Sequence, residues 1–155
     1  MKNAAIGLFF LVNFLMTACN NSTNQVVEEQ QAWDQVMAVH DDVMPKTADL
    51  NRMTTQLRAK NAALDSTRQD TKNKIMDAIQ ALESADESMM SWMAEVQDPE
   101  ILRGDNKTHA EIMRYLEEEK NKVDRVQSDI TVSLDQGKQI LESVSQMMPD
   151  STSKQ

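Results

Sequence analysis

The chain has 155 residues, with 25 acidic against 16 basic side chains and a net charge of −9 at neutral pH. That acidity excludes a nucleic-acid binder, which needs basic patches for phosphate, and argues against lying flat on anionic lipid. Aromatics make up only 4% of the residues while there are 12 methionines; the core must therefore be aliphatic and Met-rich, and the composition favours helix over strand.

Lys2 gives a short positive start, and residues 4–15 are apolar except for Asn13. Met16, Thr17 and Ala18 then lead to Cys19, the only cysteine. A charged start, a short apolar run and a small-residue exit make a secretory signal, too short for a stable membrane span. Ending at a cysteine, it resembles the signal of bacterial lipoproteins. The resemblance implies cleavage after residue 18, two acyl chains on the Cys19 thiol and a third on the new amine. A lone cysteine cannot pair internally, so lipidation accounts for it, and two or more chains anchor firmly where one is marginal. Residues 20–24 (NNSTN) are uncharged, and 19–25 read as a polar leash from the lipid. The absence of an early acidic run favours a lipoprotein facing the periplasm from the outer membrane.

Helical periodicity begins near Val26. Val36, Val43, Leu50, Leu57 and Leu64 recur every seven residues, a packed-helix pattern. Pro45 interrupts it and predicts a kink or a break near Met44. The pattern stops over 61–74, where Ser66 and Gln69 have capping-box spacing, which predicts a reversal. Ile75, Ile79, Leu82, Ala85, Met89, Met93 and Val96 carry a second helix, which Asp98-Pro99 ends. Arg103-Gly104-Asp105-Asn106 reads as a loop. A last helix opens near Thr108, with Glu111 three residues on, and carries Ile112, Leu116, Val123, Val126, Ile130, Leu134, Leu141, Val144 and Met148. Glu119 and Gly137 fall within its stripe and predict loosened packing there. Pro149 ends it.

The expected fold is all-α: an elongated antiparallel three-helix bundle or coiled coil over 26–148, its first helix kinked at Pro45 or broken to give four segments, with a tail at 149–155. Neither the partner nor the oligomeric state can be read from these patterns.

Val36-Met37-Ala38-Val39-His40-Asp41-Asp42-Val43-Met44-Pro45-Lys46 and Met89-Met90-Ser91-Trp92-Met93 resemble segments of small exported lipoproteins of Bacteroidota, some labelled "viral A-type inclusion protein". The resemblance implies a helical, envelope-anchored protein and no activity. Asp65-Ser66-Thr67 and Asp150-Ser151-Thr152 also resemble O-glycosylation sites of such exported proteins, making Ser66 and Ser151 candidate acceptors.

Met37, His40 and Met44 share a helix face at i, i+3 and i+7. Thioether and imidazole ligands suit Cu(I), and such pairs also ligate haem, although no Cys-x-x-Cys-His occurs here. Met as a flexible gap filler is the commoner role. His109 and Met113 form a further pair at i, i+4. Met89, Met90, Trp92 and Met93 would make a sticky partner-binding or holdase groove if exposed. No phosphate loop, His-Glu-x-x-His or nucleophile elbow occurs, so the expectation is a non-enzymatic, lipid-anchored interaction or spacer module without a resident cofactor. Copper handling is the alternative and a periplasmic holdase the next.

Overall fold

The computed structural model describes residues 4–147, with side chains from residue 22 onward. The side chains of Cys19 and of the signal over 1–18, together with Ser151 and the tail over 149–155, lie outside what is described. About 90% of the described residues are helical, and there is no strand among them. The elements are α1 (Ala4–Val43), a 3-10 turn (Met44–Lys46), α2 (Thr47–Ala63), α3 (Gln69–Glu95), α4 (Pro99–Gly104) and α5 (His109–Met147).

Pro45 acts through the donor it lacks. α1 stops at Val43, one 3-10 turn carries the proline, and α2 resumes at Thr47 with Val43, Lys46 and Thr47 all in the right-handed helical region. The path is thus kinked through a tighter turn without being reversed. Thr47 secures the junction, its hydroxyl donating to the Met44 carbonyl at 2.9 Å. Residues 22–25, expected in a leash, are helical, because extending an existing helix through polar residues costs far less than starting one.

The reversal after α2 is present but is built differently from the expected capping box. Asp65, not Ser66, is the organising side chain: its Oδ1 accepts from the Thr67 amide at 2.8 Å and from the Thr67 hydroxyl. The N-cap of α3 is Arg68, which makes no side-chain cap. Asp98-Pro99 both ends one helix and starts another. Asp98 caps α4 by accepting from the Glu100 amide at 2.7 Å, and Pro99 sits at the first helical position, where its missing donor costs nothing. The turn after α4 is a Schellman motif: Lys107 donates to the Leu102 carbonyl and Asn106 to that of Arg103, each at 3.0 Å. The left-handed residue this motif requires is Asn106, φ 61°, and not the nearby Gly104.

The chain gathers into two compact units, one of residues 1–37 with 97–119 and one of residues 38–96 with 120–155. In the first, Leu102, Ile112 and Leu116 are buried, with Ala32, Trp33 and Tyr115 packed on them. In the second, α2 packs against α3. Leu50 and Leu57 of α2, Ile75, Ile79, Leu82 and Met89 of α3, and Val123, Ile130 and Val144 of α5 are buried there. Each such side chain contributes roughly 1.5–3 kcal/mol by leaving water. All five residues of the seven-spaced stripe from Val36 to Leu64 are buried.

Candidate functional site

Two side-chain clusters stand out, one in each unit. In the first unit Glu29 of α1 is only 2% exposed. Its Oε2 accepts from Nη1 of Arg103 on α4. Its Oε1 lies 2.9 Å from Nδ1 of His109, the first residue of α5. The other ring nitrogen of His109 is 3.3 Å from Oε2 of the exposed Glu28. A buried carboxylate is tolerated when its oxygens are hydrogen-bonded and a cation stands beside it; Glu29 meets both conditions by drawing on three helices. The sequence reading singled out His109 with Met113, and missed Glu29 and Arg103. The arrangement clamps α1, α4 and the start of α5 together.

The start of α5 is fixed beside this clamp by the expected capping box. Thr108 donates its amide to Oε2 of Glu111 at 2.8 Å and its hydroxyl to the same oxygen at 2.7 Å. The amide first, then the hydroxyl, holds the Glu111 carboxyl below the usual glutamate range. A depressed carboxyl contributes stability that is complete above its ordinary value near 4.5 and is lost as pH falls through the lowered folded value. Thr108→Ala removes the hydroxyl donor, so the Glu111 titration midpoint should rise toward the ordinary value. A carboxyl-detected NMR titration below pH 5 checks this, and an unmoved midpoint contradicts it.

In the second unit His40, near the end of α1, meets α3. Its Nδ1 is 2.9 Å from Oδ1 of Asp41 and its Nε2 is 3.3 Å from Sδ of Met93. The Trp92 ring lies 5.7 Å from the imidazole, tilted by 34°. Helix periodicity sets this up: Met89 and Met93 are one turn apart on one face of α3, as His40 and Met44 are across the end of α1. His40 is thus joined by Met93 from another helix, a contact 53 residues away in sequence that spacing on α1 cannot show. Asp42 lies one residue on from Asp41. A hydrogen bond from Lys46 and that residue's charge, with a further bond from Gln127, hold its carboxyl below the usual range.

The Met89, Met90, Trp92, Met93 segment is not an open groove. Met89 and Trp92 are buried core residues and only Met90 stands well exposed, at 54%. A helix turning 100° per residue cannot present all four positions on one face, so Met90 alone of them points well outward. Ser66 is exposed in the turn between α2 and α3, as an acceptor of a modification must be. Among the described residues, one open groove of about 580 Å³ is flanked by Arg58, Asn61, Met76 and Glu83. No group of three or more His, Cys, Asp or Glu with metal-holding geometry occurs among the described residues, and no described helix is long and apolar enough to cross a membrane. Comparison of the chain with protein-family models, with curated proteins and with solved structures finds no match.

Proposed function

We propose that this chain is a lipoprotein of the bacterial envelope, lipid-anchored through Cys19, whose helical ectodomain is a non-catalytic interaction or spacer module. The observation that carries this reading is the N-terminal sequence: Lys2, the apolar run over 4–15, then Met16-Thr17-Ala18-Cys19. The acidic charge supports an ectodomain that stands off an anionic surface. Shallow, open grooves support a surface that meets other macromolecules over one that encloses a substrate. The proposed position is the outer membrane, facing the periplasm, with a protein partner and no nucleic acid.

Intact-mass analysis of the full chain produced in a bacterial host tests this. A mature species beginning at Cys19 and carrying three acyl chains is the expected result, and incorporation of a labelled fatty acid should vanish in Cys19→Ala. A mature chain that begins elsewhere and carries no lipid would remove the reading.

A further inference from the structure

We propose a Cu(I) site in the second unit, with His40 Nε2 and Met93 Sδ as ligands and the Trp92 ring as its wall. The two ligand atoms lie 3.3 Å apart. A carboxylate has no proton to give, so the 2.9 Å contact between Asp41 Oδ1 and His40 Nδ1 places a proton on Nδ1. In the neutral ring Nε2 then carries a bare lone pair, and it points at a thioether, which also has only lone pairs. Two soft donors facing each other need something cationic between them, either a second proton on the ring or a soft metal ion. Imidazole with thioether is a donor set for Cu(I) and not for magnesium, calcium or manganese.

The geometry agrees with that choice. With metal–nitrogen and metal–sulfur bonds of about 2.0 and 2.3 Å, as zinc makes, a 3.3 Å separation subtends about 100° at the metal. That angle suits a three-coordinate or tetrahedral ion and not a linear pair. A further thioether is available within one turn on either helix: Met44 follows His40 by four residues, and Met89, fully buried, precedes Met93 by four. Asp41 supplies what metal-bound imidazoles commonly have, a carboxylate on the other ring nitrogen that fixes tautomer and orientation. Trp92 is buried, and its ring lies 5.7 Å from that of His40. Packed beside the imidazole, that indole limits the access of water to the ring. Binding transfers no electron: the Nε2 and Sδ lone pairs bond to the ion, and the proton stays on Nδ1, donated to Asp41.

The test uses the full chain in mild detergent with Cys19→Ser, so that the thiol does not compete. Cu(I) alone is added anaerobically and titrated against a chromophoric Cu(I) chelator. One ion per chain should be retained. His40→Gln and Met93→Leu should each weaken retention by tenfold or more, and Met90→Leu, on the exposed side of the same helix, should leave it unchanged. Leu fills nearly the volume of Met, so the fold is expected to survive, and circular dichroism checks it. X-ray absorption of the loaded Cys19→Ser chain reads the ligands with His40 and Met93 intact; nitrogen and sulfur together are expected. No retained copper, retention that His40→Gln and Met93→Leu leave intact, or a first shell without sulfur would each overturn the proposal.

Discussion

Replacing Arg103 with Met should destabilise the protein by about 2–3 kcal/mol. Arg103 is the cation beside Glu29, whose carboxylate is 2% exposed. Met keeps much of the aliphatic bulk and removes the charge, leaving a buried carboxylate with His109 alone. Removing one partner of a fully buried pair costs about 3–5 kcal/mol; the smaller figure reflects the 30% exposure of the Arg103 side chain, where water shares the charge. The double variant Glu29→Met with Arg103→Met should be more stable than Arg103→Met alone, because an apolar pair leaves no orphaned charge. Urea denaturation at neutral pH measures both. A single variant within about 0.5 kcal/mol of the parent, the range of an ordinary surface change, would mean the clamp does not hold the first unit.

Gly137→Val should cost about 2–3 kcal/mol, for a reason opposite to looseness. The glycine is buried in α5, and a Cβ built on it would lie 2.8 Å from Cγ of Met53 and 3.3 Å from Cδ1 of Leu82. The stripe is therefore not slack at this position: side chains from α2 and α3 occupy the space a Cβ would take. Overpacking of this kind costs about 1–3 kcal/mol, and Val adds two methyls and a restricted χ1. Gly137→Ala should come out near neutral, since a gain of about 1 kcal/mol in helix propensity offsets the same close approach. Met53→Ala should relieve Gly137→Val, giving a double variant less unstable than the two losses summed. Strict additivity in chemical denaturation would show that Met53 is not what the new side chain meets.

The regular parts of this structure were legible because they are periodic. The seven-residue recurrence from Val36 to Leu64 marks residues that are all buried, and Thr108 with Glu111 closes the capping box its spacing predicts. Continuing the stripe back seven places from Val36 lands on Glu29, and the last helix has Glu119 in its own stripe. Both are buried, and at Glu29 charge within an apolar register was the available sign of the first-unit clamp. Its partners were invisible, because Arg103 and His109 lie 74 and 80 residues further on and no periodicity links them. His40 with Met93 escaped for the same reason. Short turns failed differently: Ser66 and Gln69 have the spacing of a box, yet Asp65 organises the turn through the Thr67 amide and hydroxyl, and Gln69 is the first residue of α3 and not its third. Local hydrogen-bond competition of this sort depends on backbone angles that residue type alone does not specify.

The division of the chain also bears on the order of assembly. Residues 38–96, with α2, α3 and the turn joining them, form contacts between near neighbours in sequence, whereas Glu29 must wait for residues synthesised 74 and 80 places later. Closing a long loop carries an entropic cost before any contact repays it, and local pairs form sooner. The segment around Glu29 thus leaves the ribosome well before the partners it needs. Until then Glu29, Trp33 and Val36 lie uncovered in an unfinished chain, at the stage when a passing chaperone or protease has its best access to them.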